Sequence, residues 1–370
     1  MKKVLSYLFI LIGTGLMLAS TSKKLMKAIA DKRRTVSGPF GLHHSGAGDL
    51  ANMSFLEKEK KFFEPNSYVF KKPSDTGKNN IDLYTWGDSY LMKYPDSGLV
   101  IPDSVFAHIS HYHFGRREYS SLLYTLDPYK RNILLIELSE RFLRSYFADF
   151  HIYDDVKKAP LPLPVSLTAI PGQSVAELPY PHLEEIFNPS INQNLEFNLF
   201  NYNFVTPVRA VKAEINYRLF GRASGYVAVS DDENYLFLKE TVRPTNLSRT
   251  FNLYYPVSKD ELKNILTVTD SIYHHYKKEG FDEVYFSIIP NPATILQPVS
   301  SEGLNYNGLI DVFQSYAAKK GIPFIDVYNP FKQYPDKGRL YRAGDTHWNN
   351  NGFQVWLGLF NAELKKQSAL

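Results

Sequence analysis

Residues 81–90 read IDLYTWGDSY. The first six are apolar and aromatic and read as a buried strand, which Gly87-Asp88-Ser89 closes with a turn signal. Downstream, Asn132–Leu138 (NILLIEL) is a continuous apolar run of strand length. Such runs suit a parallel sheet covered on both faces. Between the two, Tyr119–Leu126 has helical spacing.

The same alternation returns in the last hundred residues. Ser258 is an expected N-cap for a helix to about Lys278, Glu261 completes a capping box, and Gly280 ends the helix. A strand over 283–289 (EVYFSII), a helix over 307–319, Gly321 and a strand over 323–327 (PFIDV) follow. A last helix starts near Gly352 and carries Phe353, Trp356, Leu357, Phe360 and Leu364 as one apolar stripe. Alternating strands and helices argue for an α/β fold with a mostly parallel sheet between helices.

The middle of the chain breaks this pattern, so an insertion is expected around 151–250. Residues 158–182 hold six prolines, at 160, 162, 164, 171, 179 and 181. Residues 191–220 read as one helix that Pro207 must kink or interrupt. Residues 225–240 alternate like a hairpin, GYVAVS and YLFLKE around DDEN.

At the N-terminus, Lys2 and Lys3 precede the apolar run Val4–Ala19. This is the n-region and h-region of a signal or anchor. The run is slightly short of the roughly 20 residues of a spanning helix. Ser20-Thr21-Ser22 is either a cleavage site or the exit from the bilayer, and a retained anchor is favoured. The basic KKLMKAIADKRR flank alone would favour a cytoplasmic side. The expected organisation is an anchor and basic flank over 1–34, a polar linker over 35–80, and a catalytic domain over 81–370.

Composition narrows the function. The chain has 370 residues, 44% hydrophobic and 22% charged, as globular proteins do. A net charge of +4, with basic residues scattered, does not support nucleic-acid binding. With no cysteine, disulfides, thiolate chemistry and cysteine-ligated zinc are excluded. The 26 Tyr and 25 Phe are read first as core and sheet packing. His108, His111 and His113 have no acidic partner at helical spacing, so no metal site is expected.

Two segments carry chemistry. Trp86-Gly87-Asp88-Ser89-Tyr90 ends the first core strand, and Gly344-Asp345-Thr346-His347-Trp348-Asn349 precedes the last helix. In an open parallel sheet, sites form beyond the carboxyl ends of the strands. A serine hydroxyl needs a base to become a nucleophile. His347 can be that base, and Asp345 can fix its tautomer and stabilise the imidazolium.

This pairing resembles the SGNH hydrolases, whose nucleophile lies in a G-D-S block and whose Asp and His lie near the C-terminus. LYRAGDTHWNNNG is similar to the D-x-H-W signature of alginate-type O-acetyltransferases. Glu137, Glu140 and Arg141 resemble their E-x-x-E-R motif, and Pro290-Asn291-Pro292 their P-x-P segment. The resemblance covers roughly residues 80–365 and implies an SGNH-like, flavodoxin-like sheet. It makes Ser89 the nucleophile, His347 the base and Asp345 its orienter. The order, serine before D-x-H, departs from alginate proteins that place D-x-H first.

No G-x-N-D block is present, so the oxyanion donors are open. The backbone N–H of Ser89 or Tyr90 is the expected first donor, with Asn291 and Arg116 as further candidates. Glu137, Glu140 and Arg141 are expected to form a buried ion pair, Trp348 to pack the histidine loop, and Asn349–Asn351 to cap the last helix.

The resemblance implies O-acetyl transfer through acyl-Ser89 onto an envelope or secreted polysaccharide. It implies a membrane-bound O-acyltransferase as donor partner and no cofactor. The catalytic domain is expected outside the cytoplasm, anchored in the inner membrane or secreted after cleavage. An esterase using the same triad, and a non-catalytic polysaccharide-binding protein on the same fold, are the alternatives.

Overall fold

The computed structural model describes residues 2–22, 48–56, 80–92, 106–113, 126–148, 191–200, 202–243 and 249–368, with 25, 26, 28, 29, 32 and 101. The chain divides into two compact units. The larger comprises residues 47–53, 57–164 and 223–370.

Its described strands are β1 (Ile81–Gly87), β2 (His108–His113), β3 (Arg131–Ser139), β4 (Val227–Val229), β5 (Leu236–Leu238) and β6 (Glu283–Ile289). Four of them form one sheet in the order β2-β1-β3-β6. All three pairings are parallel, with Trp86 opposite Tyr112 and Ile136, and Ile136 opposite Phe286. β1 is buried at every position, and β3 at every position after Arg131. This mixed α/β architecture with a parallel sheet agrees with the sequence reading.

Helices cover both faces of β6, which the period of two requires. Phe286 meets Phe147 of helix Glu140–Ala148 and Phe313 of helix Leu309–Lys320. Tyr285 and Ser287 face the other way. They meet Phe360 and accept a 3.0 Å hydrogen bond from Trp356 Nε1, both on helix Asn350–Ser368. The five residues of that helix's expected stripe are all buried.

Three local expectations change. The strand over 323–327 reduces to a single parallel bridge between Phe324 and Phe286. Pro323 has no N–H to give the ladder. Val327 already has helical dihedrals, ahead of helix Tyr328–Gln333. Ser258 caps helix Lys259–Glu279 by accepting from Glu261 N at 3.1 Å. The Glu261 carboxylate instead takes Arg144, at 2.6 and 2.8 Å, so the box closes from one side only. Finally, β4 and β5 form the expected antiparallel pair, but it belongs to the larger unit.

The smaller unit comprises residues 1–46, 54–56 and 165–222. Residues 191–220 are two helices, Ile191–Phe200 and Thr206–Phe220, with Pro207 opening the second. Proline is tolerated in a first turn, where its missing N–H has no helical acceptor. Helix Lys2–Thr21 contains a 19-residue apolar segment, Lys3–Thr21, of mean hydropathy 1.9. That is long and apolar enough for a membrane anchor, and a signal sequence has the same character. At its end, Ser20 accepts from Asn194 through its carbonyl and from Asn198 through its hydroxyl, at 2.8 and 2.9 Å. The proline-rich stretch, and the expected helix over 119–126 up to its last residue, lie outside the described residues.

Candidate active site

The serine turn sits at the carboxyl end of β1, between β2 and β3, where the strand order reverses. Crevices for ligands open at such switch points. Asp88 builds the turn. Its Oδ1 accepts from Tyr90 N at 2.9 Å and its Oδ2 from Ser139 N at 2.6 Å. Its own N–H donates to Glu137 Oε2 at 3.2 Å. Gly87 leaves room here: a Cβ would lie 2.7 Å from Glu137 Oε2 and 2.9 Å from Leu91 Cδ1, so both side chains would have to shift. Burial, then the negative charge of Asp88, pushes the Glu137 carboxyl well above the usual range.

The histidine loop is folded back on itself ahead of the last helix. Tyr341 and Trp348 form an antiparallel bridge, and Arg342 N donates to His347 O at 3.3 Å. Asn349 Oδ1 caps the helix by accepting from Asn351 N and Gly352 N at 2.9 and 3.2 Å. Trp348 is wholly buried against Tyr90 and Trp356. Tyr90 also donates its hydroxyl to Thr346 O at 2.5 Å, tying the serine turn to the histidine loop.

These constraints bring Ser89, His347 and Asp345 into line. His347 Nε2 is 2.7 Å from Ser89 Oγ, and His347 Nδ1 is 2.6 Å from Asp345 Oδ1. A carboxylate at Nδ1 selects the tautomer with its proton there, leaving Nε2 to accept from the serine. Burial alone would lower the imidazole pKa; the charge and hydrogen bond of Asp345 outweigh it and raise it above 6.5. Burial works against the Asp345 carboxylate too, yet His347, helped by Arg342, holds it down at about 2. Arg342 Nη1 lies 3.7 Å from Asp345 Oδ2.

A fourth polar residue joins from the segment read as linker. Asp49 begins the short helix Asp49–Ser54 and accepts from Thr346 N at 3.1 Å and Thr346 Oγ1 at 3.0 Å. Its own N–H reaches Asp345 Oδ2 at 3.3 Å. Nothing in the polar run around Gly48 separates Asp49 from other linker residues, so sequence reading misses it. Asp49, Asp345 and His347 each offer a ligand atom, all within 4.8 Å of one another. A metal there would compete with the Asp345–His347 hydrogen bond for the same imidazole.

The oxyanion candidates separate. The Tyr90 N–H is already spent on Asp88, which removes it, whereas the Ser89 N–H has no partner among the described residues. Asn291 N donates to Glu140 Oε2 at 3.1 Å, while its Nδ2 is buried without a hydrogen-bond partner among the described residues. That amide lines a small cavity with Arg141, Thr346 and Leu50. Arg141 Nε is a second buried donor without a hydrogen-bond partner among the described residues. Arg116 lies outside the described residues.

The expected ion pair among Glu137, Glu140 and Arg141 does not form. Glu140 accepts instead from Asn291 N and from Thr294 Oγ1 at 2.5 Å. Burial raises its pKa to about 7, so an arginine is not needed to neutralise it. In the β2 histidine run, His111 Nδ1 pairs with Thr85 Oγ1 at 2.7 Å and His108 Nε2 with Ser110 Oγ at 2.9 Å.

No family model matches the chain. No curated protein matches it. Among solved structures, the O-acetyltransferase domain of Pseudomonas putida AlgJ is similar at 21% identity over 39% of this chain, with a TM-score of 0.29. The chain spans about half the length of that structure, 49%. A likeness of that size carries no weight for function, which rests on the geometry of the site.

Proposed function

We propose that the chain is a serine acyltransferase of the SGNH type that moves an O-acetyl group onto hydroxyls of an envelope or secreted polysaccharide. The carrying observation is the continuous relay from Ser89 Oγ through His347 to Asp345, with contacts of 2.7 and 2.6 Å. Ser89 Oγ attacks the acetyl carbonyl and gives its proton to His347 Nε2. The tetrahedral oxyanion is held by the Ser89 N–H and the Asn291 amide. Collapse expels the donor alkoxide, which takes the proton from His347, and leaves acetyl-Ser89. A sugar hydroxyl then gives its proton to His347 and attacks the acetyl carbon; as this intermediate collapses, the Ser89 Oγ–acyl bond breaks and His347 returns the proton to Ser89 Oγ.

Helix Lys2–Thr21 would anchor this chemistry at the outer face of the inner membrane. No acetyl-CoA is present there, so a membrane-bound O-acyltransferase would supply the acyl group. Water in place of the sugar makes the same site an esterase, because the triad does not distinguish the two hydroxyls.

The test uses the full chain in detergent with p-nitrophenyl acetate, with and without bacterial polysaccharide fragments. Acetylated fragments that vanish in Ser89→Ala establish the transferase. Acetate alone, still dependent on Ser89, points to the esterase. Turnover in Ser89→Ala equal to wild type removes the triad.

A further inference from the structure

We propose that Asp49 is a positioning residue that extends the Ser89–His347–Asp345 relay to four members, clamping the histidine loop and placing a second negative charge behind the imidazole. The proposal rests on the reading of His347 as the base.

The clamp is built from several independent contacts. Asp49 takes both the backbone and the side-chain donor of Thr346, the residue between Asp345 and His347. Two residues later, Ala51 N donates to Gly344 O at 3.0 Å. The approach depends on Gly48, whose φ of +125° is open only to glycine. A Cβ there would come within 2.5 Å of both Asp345 Cβ and Gly344 O. A segment that served only as a tether would not need its backbone pressed against the loop at this one point.

The charge follows from what faces it. Burial first, then Asp345, raises the Asp49 carboxyl to about 6, while His347 and the Thr346 N–H pull it down. In turn, Asp49 adds to Asp345 in raising the His347 pKa, and Arg141 opposes them. Arg342 faces Asp345 from the side away from the imidazole hydrogen bond, through Oδ2. As Ser89 gives up its proton, the imidazolium becomes the strongest cation beside Asp49. An ionised Asp49 therefore stabilises the charge-separated state more than the resting one, which is the condition for accelerating the step.

A residue that merely held the loop would leave the imidazole titration alone. The discriminating measurement is the His347 titration in the full chain, followed by NMR with 13Cε1-labelled histidine and assigned with His347→Gln. It needs no substrate, so it stands apart from the proposed acyl transfer. In the wild type, the His347 resonance should show a second inflection as Asp49 titrates. In Asp49→Asn, which keeps the shape, the His347 pKa should fall by about half a unit or more. The acidic limb of the pH–rate profile should move down with it, with kcat reduced and KM unchanged. A wild-type His347 curve with one inflection overturns the proposal even if the variant fails to fold. A folded Asp49→Asn with the wild-type His347 pKa overturns it as well.

Discussion

His347 Nε2 lies 2.7 Å from Ser89 Oγ, although 258 positions separate the two residues in the chain. Asp88 and Asp345 shape the two side chains locally, but contacts distant in sequence bring them together. The serine is set by a turn bound to β3, and the histidine by a loop bound to Tyr90, Asp49 and the last helix. Perturbing those supports should therefore alter catalysis as surely as removing the reacting groups.

Ser89→Ala and His347→Gln should each lower acyl transfer from an activated ester by about 10³-fold or more. The double variant should be no slower than the worse single one, because the two groups act as a unit. Initial rates across the three variants, at matched folding by circular dichroism, check this. Additive losses would mean that the two residues act in separate steps.

Asn291→Ala should reduce kcat by about 10²-fold with little change in KM, as removal of an oxyanion donor does. The buried amide has no other hydrogen-bond partner among the described residues, so the folded state loses little when it is removed. A kcat within twofold of wild type would remove Asn291 from the oxyanion hole.

Activity should rise with pH through a folded-state His347 pKa above 6.5, because only the neutral imidazole accepts the serine proton. The sign for stability is opposite. A raised histidine pKa contributes stability fully below the unfolded value, and that contribution is lost as pH rises through the folded one. Asp345, held at about 2, contributes stability present above 3.8 and lost as pH falls toward 2. A pH–rate profile beside a pH series of melting temperatures would separate the two effects.

Glu140 gives an internal check on burial. Its pKa is raised from 4.5 to about 7, so its stabilising contribution is complete below 4.5 and lost as pH rises through 7. The difference corresponds to roughly 3 kcal/mol. Glu140→Gln, which removes the ionisation, should therefore raise the melting temperature at pH 8 relative to pH 5. Equal shifts at both pH values would show that Glu140 is not neutral in the folded chain.

Tyr90→Phe should cost about 1–3 kcal/mol, since the Thr346 carbonyl loses its buried donor. Loosening the loop should also lower kcat. Chemical denaturation and single-turnover rates on the same variant measure both. An unchanged kcat would mean that the Asp49 contacts and the packing of Trp348 against Tyr90 and Trp356 hold the loop without this bond.

Much of this was legible in the chain itself. The apolar runs of β1, β3 and β6 announce a covered parallel sheet, because a strand buried on both faces has no polar side to alternate. The stripe from Phe353 to Leu364 and the Asn349 cap give the last helix by local rules alone. Ser89, Asp345 and His347 stand out because their residue types and their positions beside a strand end and a helix start are visible locally.

Other features belong to contacts distant in sequence. Whether Glu261 closes a capping box or pairs with Arg144 depends on a helix 117 positions away. Whether Tyr90 N–H is free depends on how Asp88 turns. Asp49 carries no local signal at all, and only its approach to Thr346, 297 positions distant, gives it a place beside the base. Sequence determined most of the elements and the candidate triad, since periodicity and residue chemistry are written along the chain. Tertiary structure decided which buried donors and carboxylates are satisfied, because hydrogen bonding and desolvation depend on neighbours that only folding brings together.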